Sequence, residues 1–204
     1  MARRKDHTPV QLTQLTIDTV IEFIQHRSIS QLSLRSLAKL IGYSPGTLIN
    51  LFKSYNYLLL AVSGYTLGQI NQQITADLDG LSNSSEQDKI LTIAKSYLQF
   101  ASEHPWQWRQ VFEHRLEDNQ IINSEHQQKI DGLFAKVEPL LLALAPNADS
   151  NELVRCCRTL WASVHGICII SVEDKLFAPS QISSESLIES LINHYLTNWI
   201  SHHR

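Results

Sequence analysis

A run of polar side chains between residues 33 and 53 has the chemistry needed to bind a polyanion. It combines hydroxyl, amide, phenol and cationic groups with a proline and a glycine: Ser33, Arg35, Tyr43, Ser44, Pro45, Gly46, Thr47, Asn50 and Lys53. Hydroxyls and open N–H groups at a helix N-terminus bind phosphate oxygens, and the positive end of the helix dipole favours negative charge. An asparagine can also pair with adenine through two hydrogen bonds. We therefore expect this run to contact nucleic acid, with Tyr43 and Asn50 touching bases or phosphates.

Two short helices joined by a tight turn would position these side chains. Such a turn needs a small residue where the helices touch, a residue tolerant of positive φ, and an aliphatic plug. Ala38, Gly42 and Leu48 supply the three at spacings of four and six residues. Ser33 is a suitable N-cap for the first of the two helices, and Ser44 is one for the second, where a proline follows. The pattern predicts a helix-turn-helix.

Helical patterning extends over the rest of the chain. The sequence has seven Gly and six Pro and lacks alternating β-branched runs, so it predicts an all-α fold. In the first segment Ile17, Val20, Ile21 and Ile24 recur at helical spacing. The predicted helices run from about Pro9 to His26, Leu34 to Ile41, Pro45 to Phe52, Asn56 to Leu78, Glu86 to Ser102, from Pro105 onward, Ser124 to Ala145, Ser150 to Val172 and Ser183 to Ser201.

Charge is unevenly distributed along the chain. The net charge is −3, but residues 1–53 hold seven Lys/Arg against three Asp/Glu, a balance of +4 that leaves −7 for the remainder. Such an asymmetry is typical of a polyanion-binding module joined to an acidic body. Arg3, Arg4 and Lys5 are expected to form an arm that adds sequence-independent attraction to DNA.

Several classes of protein are disfavoured. We expect no segment to cross a bilayer, and the N-terminus lacks a signal-peptide core, so a cytoplasmic location is expected. Cys156, Cys157 and Cys168 do not form the even framework of a secreted protein and are expected to be reduced core residues. The sequence contains no nucleophile elbow, phosphate loop, paired-acid motif or Cys/His metal cluster. We therefore expect neither an enzyme nor a metal or other cofactor.

The segment from Leu32 to Phe52, LSLRSLAKLIGYSPGTLINLF, resembles the signature of the TetR family of transcriptional regulators. Two positions depart from the family's pattern. Ile49 stands where a tyrosine is usual two residues after the Gly-Thr pair, and Tyr55 stands where a lysine is usual at the start of the fourth helix. Both of the usual residues contact the DNA backbone. The resemblance implies a DNA-binding regulator that acts as a homodimer.

Two elements further along resemble the C-terminal domain of one group of these regulators. The sequence Trp161-Ala-Ser-Val-His165-Gly166 matches a Trp-x-x-x-His-Gly element, and the pieces 101–105 and 111–113 resemble what precedes it. The resemblance implies a DNA-binding domain at 1–55 and an effector-binding and dimerisation domain at 56–204. Its last two long helices would pair with those of a partner subunit.

Two sets of candidate residues follow for the second domain. Aromatic and polar-tipped side chains are candidates for the effector cavity: Trp106, Trp108, Phe112, His114, Trp161 and His165. The expected dimer interface draws on the last two long helices: Trp161, Gly166, Cys168, Leu187, Leu191, Tyr195 and Trp199. The final helix has an apolar stripe wider than one neighbour in the chain requires, which favours dimerisation. Taken one by one, aromatics at helical spacing more often fill a core than line a binding site, so core packing remains the alternative for the cavity candidates.

The expected architecture is therefore an N-terminal three-helix helix-turn-helix domain followed by a helical bundle. The expected function is a ligand-responsive repressor that binds a palindromic double-stranded operator as a homodimer and responds to an unknown small molecule. Two alternatives remain open. One is an all-helical enzyme or small-molecule-binding protein in which the N-terminal hairpin is only structural; the other is a helix-turn-helix module that binds a protein without DNA.

Overall fold

The computed structural model describes residues 7–114, 116, 121–173 and 182–203. All regular structure in these residues is helical, which confirms the predicted all-α class. A 3-10 turn at Ile29–Gln31 lies between the first two helices. The α-helices are α1 (Pro9–Ile24), α2 (Leu34–Leu40), α3 (Pro45–Phe52), α4 (Tyr55–Leu78), α5 (Glu86–Glu103), α6 (Pro105–Glu113), α7 (Ser124–Phe134), α8 (Glu138–Leu144), α9 (Ser150–Glu173) and α10 (Ser184–Ser201).

The chain packs as two compact units. Unit 1 comprises residues 1–68 and 104–127, and unit 2 comprises 69–103 and 128–204. These units differ from the predicted domains at 1–55 and 56–204, because α6 and the first part of α4 pack with the N-terminal helices. Packing draws together residues that are distant in sequence, so a sequence boundary and a packing boundary need not coincide.

The core of unit 1 is formed by the inner faces of α1 to α4. The periodic residues predicted for α1 are inside it: Ile17, Val20 and Ile24 are buried, and Ile21 is partly buried against them. The other buried members are Leu32, Leu37, Ala38, Leu48, Phe52, Leu58, Leu59 and Val62. Hydrophobic burial on this scale fixes the two short helices α2 and α3, which are too short to be stable alone.

Buried amide side chains join α6 to α4 within unit 1. Gln110 is 1% exposed; its Nε2 donates to the Leu59 carbonyl oxygen at 3.0 Å, and its Oε1 accepts from Ser63 Oγ at 3.2 Å. Gln107 Nε2 donates to Thr66 Oγ1 at 3.2 Å. Hydrogen bonds in a low-dielectric interior are directional and costly to break. They therefore fix the register of α6 against α4.

Unit 2 is a bundle in which α5 packs against α8, α9 and α10. Its α9 is long and apolar enough to cross a membrane by length and composition, with a mean hydropathy of 1.3 in its most apolar window. It thus departs from the expectation that no segment is long and apolar enough to cross a bilayer. α9 packs against α5, α8 and α10 within the bundle, and one helix of this length and composition does not indicate a membrane protein.

One predicted helix is wrong. The expected single helix from Ser124 to Ala145 is two helices, α7 and α8, separated by turns at residues 135–137. Pro139 lies in the first turn of α8. A proline has no N–H to donate, and its ring clashes with the carbonyl group four residues earlier in a continuous helix. The break therefore falls just before it.

Candidate nucleic-acid interface and ligand cavity

The turn between α2 and α3 has the geometry predicted for it. Gly42 has φ 74°, a left-handed conformation that suits glycine. Its N–H donates to the Lys39 carbonyl oxygen at 3.2 Å, and the Tyr43 N–H donates to that of Ala38 at 2.9 Å. This pair of bonds closes α2 and sends the chain sharply into α3. At the other end of α2, Ser33 Oγ accepts from the Ser36 N–H at 3.1 Å as the predicted N-cap.

The amino end of α3 is capped and open to solvent. Ser44 Oγ accepts from the Thr47 N–H at 3.1 Å and lies 2.8 Å from Thr47 Oγ1, so both hydroxyls are held at the first turn. Pro45 occupies the first helical position and has no N–H. Ser44, Gly46 and Asn50 are exposed, whereas Leu48 is fully buried as the aliphatic plug. α3 is therefore anchored by one face and presents its amino end outward.

The remaining predicted contact residues lie around this end. Ser33, Arg35 and Lys53 are exposed, and Tyr43 is half-buried with its hydroxyl 2.7 Å from His7 Nδ1. The His7 contact joins the start of the described chain to the turn. Pro45 and Thr47 are half-buried as well. The predicted arm of Arg3, Arg4 and Lys5 lies outside the described residues.

Lys53 ends α3 in a conformation that is rare for a residue with a side chain. Its φ is 71° and its ψ is −41°, and no other described non-glycine residue has a positive φ. Its N–H donates to the Ile49 carbonyl oxygen at 2.7 Å. Such conformations store strain and concentrate at functional positions. An exposed cation is thus held in a strained conformation at the carboxyl end of α3.

The two departures from the family pattern have different structural settings. Ile49 is 37% exposed on the outer face of α3 and offers no hydrogen bond. The Tyr55 hydroxyl donates to the Leu32 carbonyl oxygen, and burial raises the pKa of Tyr55 to about 12. Tyr55 therefore ties the start of α4 to the segment before α2 instead of reaching toward a phosphate.

Unit 2 contains a cavity of about 70 Å³. Thirteen residues line it, none of them charged, and they come from α4, α5, α7, α9 and α10 together with the turn before α8. Tyr97, Phe134 and Trp161 are its aromatic walls. The Trp161 ring also stacks on that of His165, with centroids 5.1 Å apart. His165 Nδ1 lies 2.9 Å from the Tyr97 hydroxyl.

Of the six predicted effector residues, only Trp161 lines this cavity. His165 stands behind it, and burial lowers the pKa of its imidazole. The other four belong to unit 1: Trp106 packs against the unit 1 core, Trp108 is 2% exposed, and Phe112 lies beside Trp108 with ring centroids 5.4 Å apart. Burial also lowers the pKa of His114. A role for these four in effector binding stays a prediction.

The same chain-wide fold occurs in solved structures of regulators. A TetR transcriptional regulator from Streptomyces coelicolor is similar with a TM-score of 0.67 at 15% identity, over 93% of this chain and 97% of that one. A TetR transcriptional regulator from Rhodococcus sp. RHA1 is similar with a TM-score of 0.62 at 17% identity, over 94% of this chain and 99% of that one. A protein of unknown function from Rhodococcus sp. RHA1 is similar with a TM-score of 0.74 at 14% identity, over 96% of this chain and 98% of that one. At these identities the likeness shows the fold.

Sequence comparison adds the decisive observation. The family model of the tetracyclin repressor-like C-terminal domain matches residues 90–195, just over half of the chain. The chain belongs to the TetR family. It is a transcriptional regulator of TetR type. Among curated proteins no sequence matches this chain.

The residues predicted for the TetR dimer interface divide by burial. Trp161 is 37% exposed, and Gly166, Leu187, Leu191 and Tyr195 are half-buried on α9 and α10. Cys168 is fully buried and Trp199 is 8% exposed, so both are already covered within one subunit. The open part of the predicted interface therefore consists of the first five residues.

Sequence reasoning missed the side chains that shape the cavity and the α4–α6 contact. Tyr97 and Phe134 line the cavity but sit in helices with no motif, where nothing separates them from core aromatics. Gln107 and Gln110 are three residues apart in α6, and this spacing puts two amides on one helix face. That spacing was the available signal for a buried polar contact.

Proposed function

We propose that this TetR regulator is a ligand-responsive repressor that binds a palindromic operator as a homodimer. The observation that carries the proposal is the exposed amino end of α3, with Ser44, Gly46 and Asn50 outward on a helix anchored by Leu48. A recognition helix contacts base edges through its amino-terminal residues while the first helix crosses the backbone. The short, capped α3 has that form.

Roles on DNA follow from side-chain chemistry. Asn50 and Tyr43 read base edges or phosphates, and the Ser44 and Thr47 hydroxyls with the Gly46 N–H bind phosphate. Ser33 and Arg35, at the start of α2, bind the backbone of the duplex. Lys53 supplies a cation at the other end of α3, in place of the usual lysine at the Tyr55 position. The acidic remainder of the chain confines the attraction to this surface.

Dimerisation is supported by the incomplete covering of α9. Only 28% of its most apolar window is buried inside the chain, although the helix is apolar on several faces. Val154, Trp161 and Ile169 are 45%, 37% and 43% exposed along it. Exposed apolar surface of this kind marks an interaction site. A second copy of the chain, using α9 and α10, would cover it and set two recognition helices about one helical turn of DNA apart.

Ligand response is supported by the cavity in unit 2 and by the continuity of α4. A ligand that prefers one arrangement of the dimer shifts the population toward it, and DNA is bound only if the half-site spacing matches. α4 runs unbroken from Tyr55, beside the recognition elements, to Leu78, beyond the cavity-lining Ile74. The protein would act in the cytoplasm as a non-enzymatic regulator with a small-molecule effector.

Fluorescence anisotropy with duplexes selected from genomic DNA tests the proposal. We expect tight binding to an inverted repeat and a steep loss of affinity with salt, because phosphate contacts release counterions. Asn50→Ala should weaken binding to the selected repeat by roughly 1–3 kcal/mol, the usual cost of losing a bidentate base contact. Asn83→Ala, at an exposed loop residue, is the matched control and should change nothing. Equal effects of the two substitutions would count against the assignment.

A further inference from the structure

The cavity in unit 2 is partly open to solvent and has a volume of about 70 Å³. Several waters would fit by volume, since each needs roughly 10–15 Å³ of such space. A buried water, however, needs two to four polar partners, and the walls do not provide them. The space is therefore suited to an apolar occupant.

The chemistry of the walls excludes a charged occupant. No lining residue is charged, so an ion inside would have no partner to offset its lost hydration. The two most polar wall atoms are already accounted for. The Tyr97 hydroxyl lies 2.9 Å from His165 Nδ1, and burial raises the pKa of Cys157 to about 12, which keeps that thiol neutral. An occupant need not supply a hydrogen bond to either.

Two aromatic walls differ in how far they are covered. The Arg158 guanidinium lies 3.3 Å from the centroid of the Phe134 ring, which is 8% exposed and braced from outside. Trp161 is 37% exposed, more than any other residue of the lining. A dry cavity that accepts benzene measures roughly 150 Å³. The present volume is about half of that, and the cavity is partly open to solvent, so the occupant is no larger than about one ring.

We propose that this cavity binds a compact, uncharged, apolar molecule of about one hydrocarbon ring. The inference rests on the proposed ligand response and names the chemical class of the effector. It excludes carboxylates, ammonium compounds and phosphorylated metabolites of the same size as occupants of this cavity.

Isothermal titration calorimetry of the full-length protein with three probes of similar shape tests the class. The probes are toluene, benzylammonium and benzoate, which share one ring and differ in charge. We expect toluene to bind saturably with one site per subunit, and each ion to bind at least tenfold more weakly because it enters without a counter-charge. Absence of toluene binding, or binding of either ion as tight as that of toluene, would overturn the proposal.

Two substitutions place the binding in this cavity. Ala94→Leu adds bulk to the lining and should abolish toluene binding, while Val164→Ala removes two methyl groups from it and should tighten binding severalfold. Val10→Ala is the matched control, since Val10 is 78% exposed at the start of α1 and lies outside the lining. If Ala94→Leu fails to fold, the two valine variants still decide. Equal toluene affinities for them would overturn the proposal.

Anisotropy with the selected duplex, run on the same samples, separates this inference from the proposed function. Toluene binding without any DNA binding would leave the cavity assignment standing and remove the repressor. DNA binding without toluene binding would overturn the cavity assignment and leave the proposed DNA-binding function standing. We expect both, with toluene weakening DNA binding at least threefold in the wild type and not in Ala94→Leu.

Discussion

Lys53 is both a strained residue and a predicted DNA contact, so its replacement should change stability and binding in opposite directions. A non-glycine residue at φ 71° and ψ −41° costs roughly 1–3 kcal/mol. Glycine removes that cost but loses about 0.5–1 kcal/mol of chain entropy on folding. Lys53→Gly should therefore be as stable as the wild type or more stable by up to ~2.5 kcal/mol, as measured by urea unfolding.

The same substitution removes one cation from each recognition surface. Each phosphate contact contributes about 0.9 to the slope of log K against log salt, so a dimer that loses two contacts should show a slope smaller by about 2. Anisotropy titrations over a series of salt concentrations measure this slope. The expected affinity loss is uniform across operator sequences, since a phosphate contact carries no base information.

Two further variants separate strain from charge. Lys53→Met keeps the strained backbone and removes the charge, so it should retain wild-type stability while losing the same salt slope as Lys53→Gly. Lys53→Arg keeps both and should resemble the wild type in both measurements. If Lys53→Gly proves less stable than Lys53→Met, the strain argument is refuted. If neither neutral variant changes the salt slope, Lys53 does not contact phosphate.

Three other predictions use titration and reactivity. Tyr55→Phe should lower the free energy of unfolding by about 1 kcal/mol, since the Leu32 carbonyl oxygen loses its donor. Because burial raises the pKa of Tyr55 from 10.0 to about 12, the wild type should also lose stability between pH 10 and 12. The variant should lose less stability over that range. Burial lowers the pKa of His165, so below about pH 6.5 the unfolded chain binds a proton at this residue more readily than the folded chain does. The free energy of unfolding should therefore fall as the pH drops below about 6.5, as measured in calorimetric scans. In His165→Asn this fall should be smaller. The three cysteines are buried with pKa values raised to about 12, so Ellman's reagent at pH 8 should react slowly with the folded protein and fast in denaturant; rapid reaction of the folded form would contradict their burial.

The helix-turn-helix was predictable because its determinants are local. Ser33 and Ser44 cap helices through bonds to residues three positions on, and Gly42 takes the positive φ that closes α2. Each depends on its neighbours in sequence alone. The break before α8 is also predictable from Pro139, since a proline favours the start of a helix over its interior. The prediction of one helix from Ser124 to Ala145 is wrong because it follows the apolar pattern past this proline.

The rest required tertiary packing. An aromatic at helical spacing looks the same whether it fills a core, as Trp108 does, or lines a cavity, as Trp161 does. The cavity exists because residues from five helices and a turn leave space between them. The distances between these helices cannot be read from the sequence. The positive φ of Lys53 was also hidden, because lysine is not among the residues that favour such a conformation.

The central claim, that the amino end of α3 enters the groove of DNA in a symmetric dimer, is tested most directly by hydroxyl-radical footprinting of the full-length protein on a duplex selected from genomic fragments. The account predicts two protected patches related by a two-fold axis and centred about one helical turn apart, or a whole multiple of it, with the protection lost in Asn50→Ala at the concentration that protects in the wild type. A single unsymmetrical patch, or protection unchanged by Asn50→Ala, would contradict it.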